Sequence, residues 1–180
     1  MYRKCIWDKG DNIMTKEQRV AVITGSTRGI GRGIAEQLGK DGYALVINGS
    51  HQDTCEKAAR ELSAKGFQVV ACAGDVSKKE THDQLVKTAV DHFGRLDTYV
   101  NNAGIAQIGN LLDESAEDFH QIYATNVDSV LLGSRQRPSS LSGKKTVKRS
   151  VRSLTPQVLL VILATNSLAP TLLPNLQSVV

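Results

Sequence analysis

The fold is decided by twelve consecutive residues, Val20-Ala21-Val22-Ile23-Thr24-Gly25-Ser26-Thr27-Arg28-Gly29-Ile30-Gly31. The first four are apolar, which predicts a short buried strand, and the helical spacing of apolar residues from Ile30 to Leu38 predicts a helix directly after the glycines. In such a turn Gly25 permits the tight bend, Gly29 lets the backbone approach a pyrophosphate, and Gly31 allows close helix–strand packing. The helix start then presents backbone N–H groups to the negative charge. For this motif alone, a glycine-rich turn without a ligand is the alternative.

Strands and helices continue to alternate up to residue 135. Three further apolar runs predict strands at Ala44–Ile47, Phe67–Ala71 and Leu96–Val100. Helices are predicted over residues 53–65, 79–93 and 116–135, the first of them capped by Asp53 and ended by Gly66. This alternation predicts an α/β fold of the Rossmann type, with a doubly wound parallel sheet between two layers of helices. We expect the strand order 3-2-1-4, which leaves the sheet incomplete.

Polar residues collect where the predicted strands end. Asp75-Val76 follows the third strand, Asn101-Asn102-Ala103-Gly104 follows the fourth, and Asn126 lies within the last helix. Ligands of parallel sheets bind beyond the carboxyl ends of the strands, so these residues are candidates for a site. Taken singly, each has a simpler explanation: a helix cap, a polar turn and a solvated surface residue.

Taken together, these motifs resemble the short-chain dehydrogenase/reductase family over residues 19–135, and the reading of the tail codons shifted by one base, described below, is similar to acetoin and diacetyl reductases. The resemblance implies reduction of a small ketone, or oxidation of the matching alcohol, with NAD(P)(H). It makes Asn126 the active-site asparagine, whose backbone carbonyl holds a proton-relay water. It implies cofactor contacts at Gly25, Arg28, Gly29, Ile30, Gly31, Asp75, Val76, Asn102, Ala103 and Gly104. Family members form homodimers or homotetramers through the helix that holds Asn126, although the unusual end of this chain puts assembly in doubt.

The end of the second strand bears on cofactor choice. An NAD site uses a carboxylate there to accept the ribose 2′-hydroxyl, whereas this chain has Asn48-Gly49-Ser50. Arg28 in the glycine turn is able to bind a 2′-phosphate through its forked guanidinium. We therefore count Asn48 among the cofactor-binding candidates and expect NADP(H) rather than NAD(H), which stays open as the alternative.

The composition changes sharply near Arg135. All 18 acidic residues lie at or before Asp128, and all four prolines lie after it. Residues 135–180 hold seven Lys and Arg side chains and no acid. This predicts three regions: an N-terminal extension (1–18), a Rossmann domain (19–135) and an aberrant, disordered tail (136–180). Binding of nucleic acid by the basic tail, or a fifth strand at Val158–Ala164, are weaker alternatives.

The catalytic residues that the resemblance implies are missing from this chain. Family members use Ser and Tyr-x-x-x-Lys, yet none of the four tyrosines here has Lys four residues later. When codons 154–176 are shifted by one base, Gln157, Pro170 and Pro174 with their following codons permit Ser, Tyr and Lys at spacings of thirteen and four. Our hypothesis is a frameshift near Arg137. A catalytically inactive nucleotide-binding remnant is the alternative function of the chain as written.

Several other classes of protein are set aside. The net charge of +4 is too mild to indicate nucleic acid by itself. The longest apolar run covers seven residues, far short of the roughly 20 of a membrane span. The three cysteines have no metal-ligand spacing, so we predict no metal site and a reducing, cytoplasmic location. The four scattered histidines (His51, His82, His92 and His120) are predicted to lie on the surface.

Overall fold

The structure is a computed structural model, which describes residues 18–106 and 115–136. The predicted N-terminal extension lies outside the described residues except for Gln18, and the predicted tail lies outside them except for Gln136. The alternative fifth strand, Val158–Ala164, is also outside this range. No helix of the described part is long and apolar enough to cross a membrane.

Four parallel strands form one sheet, and their order is the predicted one. The strands are β1 (Val20–Ile23), β2 (Ala44–Gly49), β3 (Val69–Ala73) and β4 (Thr98–Val100). Their order is β3-β2-β1-β4, so β1 lies between β2 and β4, and Val22 is in register with Val46 and Tyr99. All three pairings are parallel, which places the ends of the strands, and the loops that follow them, along one edge.

The helices also follow the predicted alternation. They are α1 (Gly29–Lys40), α2 (Gln52–Ala64), α3 (Lys79–Phe93), α4 (Ala116–Tyr123) and α5 (Ser129–Ser134), with a π-helical turn at Ala124–Asp128 between the last two. The predicted cap of α2 was wrong: His51 is its N-cap residue, and Asp53 lies in the first turn, where its charge still favours the helix dipole. Gly66 and Gly94 have φ of +85° and +75° and follow the ends of α2 and α3.

The sheet is buried on both faces, which explains why its strands are continuously apolar. Val20 and Val22 pack on one side with α3 residues such as Leu85, whereas Ala21 and Ile23 pack on the other. This second cluster contains Ala35 of α1 together with Ala58 and Leu62 of α2. Because alternate residues of a strand point to opposite faces, one strand contributes to both clusters. The three-layer α/β/α arrangement is therefore confirmed.

One histidine departs from the predicted surface position. His82 is fully buried in α3, because its place one turn before Leu85 and Val86 turns it toward the sheet. Both ring nitrogens have partners: Nδ1 lies 2.7 Å from the Tyr99 hydroxyl and Nε2 lies 2.8 Å from the Val76 carbonyl oxygen. These two hydrogen bonds compensate for the loss of hydration when the imidazole is buried in an apolar layer.

Candidate functional site

A groove of about 600 Å³ runs along the carboxyl ends of the four strands. The loops after β1, β2, β3 and β4 all contribute to its lining. All eleven predicted cofactor-binding residues line it: Gly25, Arg28, Gly29, Ile30, Gly31, Asn48, Asp75, Val76, Asn102, Ala103 and Gly104. Because the sheet is parallel, residues as far apart in the sequence as Gly25 and Ile105 line the same cleft.

The glycine turn after β1 has no room for side chains at two of its positions. A Cβ on Gly31 would overlap the Gly25 carbonyl oxygen and the Asn102 side-chain nitrogen. Gly25 has a φ of +61°, and a Cβ there would lie 2.7 Å from the Ala103 Cα. The first turn of α1 contains no acidic residue. The N-terminus of α1 is thus a closely packed, positively polarised end that suits an anion.

Thr24 ties this turn to the loop after β4. Its buried hydroxyl donates to the Val100 carbonyl at 3.2 Å and accepts from the backbone N–H groups of Asn102 and Ala103 at 2.9 and 3.0 Å. In return, the Asn102 carboxamide donates to the carbonyls of Thr24 and Gly25 at 2.9 and 3.1 Å. All of these groups are satisfied within the protein, so the floor of the groove is rigid before any ligand binds.

Asn48 lines the groove, but its side chain is fully engaged inside the protein. The side chain is 1% exposed, and its nitrogen donates to the carbonyls of Cys72 and Gly74, both at 3.1 Å. Its oxygen accepts from the Gly25 N–H at 3.4 Å. The carboxamide therefore joins β2 to the loop after β1 and to the end of β3 with the loop that follows it, and it has no remaining donor for a ribose or a phosphate.

Asp75 and Val76 form the wall that follows β3. The exposed Asp75 carboxylate accepts from the Ser77 N–H at 2.9 Å and from the Ser77 hydroxyl at 2.8 Å, which is a local turn and not a helix cap. The N-cap residue of α3 is Lys78. Val76 is 6% exposed, and its carbonyl accepts the hydrogen bond from His82.

Asn126 is buried and lies in the π-helical turn. Its side-chain oxygen accepts from the Ile105 N–H at 2.9 Å, and its side-chain nitrogen donates to the Ile105 carbonyl at 2.8 Å. The solvated surface position is thereby excluded. π-Helical turns are rare and occur frequently at functional sites, because they change the partners of nearby carbonyls. Asn126 itself does not line the groove, whereas Ile105 does.

Sequence analysis missed eight residues of the lining. They are Thr27, Gly49, Ser50, Gly74, Ser77, Ile105, Gln121 and Thr125. Most of these residues are direct neighbours of a predicted residue at the end of a strand, and that position was the signal by which the sequence could have identified them. Gln121 and Thr125 are four residues apart, so their spacing in the helix before Asn126 was the only indication that they share a face.

The charges of the lining favour binding over proton transfer. Among the described residues of the groove, Arg28 is the one base and Asp75 the one acid, and both are exposed. The remaining lining consists of glycines, hydroxyl and amide side chains and a few apolar residues. Such a surface can hold phosphate, ribose and an aromatic base through backbone groups and short polar side chains.

A comparison with known protein families identifies the family of this chain. The model of the short chain dehydrogenase family matches residues 19–147. The chain belongs to the short chain dehydrogenase family. Relatives within it include a diacetyl reductase [(S)-acetoin forming] of Staphylococcus epidermidis, 39% identical over 115 residues. An L-2,3-butanediol dehydrogenase of Corynebacterium glutamicum is 38% identical over 117 residues. Each match covers 64% of this chain and 45% of the relative.

Solved structures of short chain dehydrogenases share the fold. An alcohol dehydrogenase of Thermococcus sibiricus, complexed with 5-hydroxy-NADP, superposes with a TM-score of 0.60 at 40% identity. The L-sorbose reductase of Gluconobacter frateurii, complexed with NADPH and L-sorbose, gives 0.61 at 34% identity. These matches cover 65% and 66% of this chain and 50% and 45% of the other. The chain thus spans about half the length of the relatives that it matches.

Proposed function

We propose that this short chain dehydrogenase binds NADP(H) in the groove at the strand ends. The observation that carries the proposal is the convergence of all eleven predicted residues, from four separate loops, on that single groove. The closely packed glycine turn and the polarised N-terminus of α1 supply the backbone donors that a pyrophosphate needs. When bound, the nicotinamide supplies or accepts a hydride.

The lining also suggests how the two halves of the dinucleotide are arranged. Gly29, Ile30 and Gly31 would hold the pyrophosphate, and Asp75 and Val76 would hold the adenine. Asn102, Ala103 and Gly104 would support the cofactor from below, on the floor that Thr24 holds in place. Asn48 acts indirectly, because its buried carboxamide fixes the loops around the ribose instead of binding it.

NADP(H) is proposed over NAD(H) because of the charges at the end of β2. Asn48, Gly49 and Ser50 line the groove there and carry no carboxylate for a ribose 2′-hydroxyl. Arg28 lines the same groove with an exposed guanidinium, which can bind a 2′-phosphate. The NADP and NADPH complexes of two structural neighbours support the same choice.

The proposed reaction interconverts a small ketone and its alcohol. The names of the relatives that act on diacetyl and on L-2,3-butanediol support this substrate class. Asn126 is the proposed active-site residue of the described part. Its side chain is occupied by Ile105, and the proposed water site is its backbone carbonyl in the π-helical turn, the role that the family resemblance implies. Self-association would use α4 and α5, where Phe119, Tyr123 and Leu131 are exposed.

A second function has its own support: a nucleotide-binding protein without turnover. None of the four tyrosines in the sequence has Lys at the fourth following position, so the proton donor of the family reaction lacks its motif. Proton transfer by a positioned side chain is typically worth 10²–10⁴ in rate, so its loss suppresses reduction while binding persists. Both candidates share the cofactor groove and differ only in catalysis.

One pair of measurements tests the binding and separates the two candidates. Titration of the full chain with NADPH and with NADH by calorimetry should show one site that prefers NADPH. Replacing Arg28 by Ala should reduce that preference and leave NADH affinity unchanged. NADPH oxidation in the presence of diacetyl then reports turnover. Binding without turnover supports the second candidate, turnover supports the reductase, and absence of nucleotide binding contradicts both.

A further inference from the structure

We propose that His82 is a positioning residue that fixes the adenine-side wall of the groove. It does so by bridging the Tyr99 hydroxyl on β4 to the Val76 carbonyl. This inference rests on the proposed nucleotide binding for its functional consequence, but its structural part can be tested without any nucleotide.

The bridge joins two different parts of the groove. Tyr99 belongs to β4, which leads directly into the floor residues Asn102 and Ala103. Val76 belongs to the wall after β3. β4 and β3 lie at opposite edges of the sheet, so they share no backbone hydrogen bonds. The imidazole of His82 therefore connects two walls that the sheet itself leaves unconnected.

The hydrogen bonds determine the tautomer of the ring. A carbonyl oxygen only accepts, so Nε2 must carry the proton and donate to Val76 at 2.8 Å. Nδ1 then accepts from the Tyr99 hydroxyl at 2.7 Å. Burial raises the pKa of the Tyr99 phenol, so this group stays a donor at ordinary pH. A neutral His82 satisfies all three groups at once.

Protonation of His82 would disturb this arrangement. Tyr99 of β4 contacts the ring, Asp83 follows it on the same helix, and Cys72 of β3 packs in one cluster with Tyr99. Asp75 and Lys78 are charged residues of the loop that precedes α3. β1, β2 and α5 contribute no titratable side chain. Burial lowers the pKa of His82; the hydrogen bond to the Val76 carbonyl opposes this, and so does the charge of Asp83, which is exposed and paired with Lys79. A proton on Nδ1 would force the Tyr99 hydroxyl to turn away and leave its hydrogen without a described acceptor.

The structural arm of the test uses amide hydrogen exchange without nucleotide. His82→Phe keeps the ring volume but removes both hydrogen bonds, and we expect exchange to speed up at least tenfold at residues 75–78. Leu85→Ala is the matched control, since it removes a fully buried neighbour on the same helix without touching the bridge. It should lower overall stability and leave the ratio of exchange at 75–78 to exchange in α3 unchanged. Equal behaviour of the two variants would overturn the proposal.

The binding arm uses 2′,5′-ADP, which carries the adenine half alone. His82→Phe should weaken its binding by roughly tenfold, the loss expected when one positioning hydrogen bond fails. His82→Gln can donate to Val76 and accept from Tyr99, so it should restore most of the affinity. As the pH falls through the lowered pKa of His82, the wild-type dissociation constant should rise more than that of His82→Gln, and this comparison cancels titration of the phosphates. If the wild type does not bind 2′,5′-ADP, the proposed function is contradicted. The hydrogen-exchange arm then still tests whether His82 holds residues 75–78 in place.

Discussion

The side chains and backbones of Thr24 and Asn102 hold each other reciprocally across the top of the sheet. The Thr24 hydroxyl accepts from the Asn102 N–H at 2.9 Å, and the Asn102 carboxamide donates to the Thr24 carbonyl at 2.9 Å. Thr24 follows β1 and Asn102 follows β4, so this pair aligns the glycine turn with the floor of the groove. These two hydrogen bonds hold the loop after β1 against the loop after β4.

Replacing Thr24 by Val should destabilise the protein by about 2 kcal/mol or more. Valine keeps the shape but leaves the N–H groups of Asn102 and Ala103 without an acceptor, and a buried unsatisfied donor costs about 1–3 kcal/mol. Thr24→Ser keeps the hydroxyl and should cost about 1 kcal/mol for the missing methylene-sized group. Urea unfolding of both variants measures the difference. Equal stabilities would show that the hydroxyl does not hold the loop.

Two glycines of the same helix should respond in opposite ways to alanine. Gly31→Ala should abolish nucleotide binding and lower stability, because its Cβ would overlap the Gly25 carbonyl and the Asn102 side chain. Gly33→Ala has open space around the new methyl and should raise stability by up to about 1 kcal/mol, since alanine favours helices. Thermal unfolding and NADPH titration of the pair provide the check. A Gly31→Ala variant that binds normally would refute the proposed packing of the turn.

Stability should depend on pH through His82. The folded pKa of this group lies below its ordinary value of 6.5, so the unfolded chain takes up the proton first as the pH falls. The contribution of His82 is complete above pH 6.5 and is progressively lost below it. The lowered pKa values of Glu36 and Asp83 act only at still lower pH, where these carboxylates begin to take up protons. Urea unfolding between pH 5 and 7 should therefore show a slope that His82→Phe removes.

The nucleotide sequence of the gene tests the frameshift hypothesis. A change of frame by one base near codons 135–138 should open a continuous reading through Ser, Tyr-x-x-x-Lys and a further strand and helix. This follows from the permitted codons at Gln157, Pro170 and Pro174. Stop codons throughout that phase between codons 138 and 176 would contradict the hypothesis, and the basic segment would then need a function of its own.

The sequence was sufficient for the sheet and for the backbone of the site. The strands follow from periodicity, and their order follows from the Rossmann type of fold. The glycine turn follows from positions such as Gly31, where only the absence of a side chain fits. Side-chain roles were harder to predict. Asn48 was counted among the cofactor-binding candidates, and its buried carboxamide joins β2 to the loop after β1 and to the end of β3, through carbonyls more than twenty residues away. His82 was expected on the surface because the histidines do not cluster in the sequence. Its burial depends on Tyr99, a partner on a strand 17 residues later.

Hydrogen exchange of the full chain with and without NADPH tests the central claim most directly. The account predicts that NADPH slows exchange together in the four loops that line the groove, over residues 24–31, 48–50, 74–77 and 102–105. Gly31→Ala should remove this protection from all four loops, whereas Gly33→Ala should preserve it. Protection in another part of the molecule, or unchanged exchange in these loops at an NADPH concentration that saturates binding, would contradict the account.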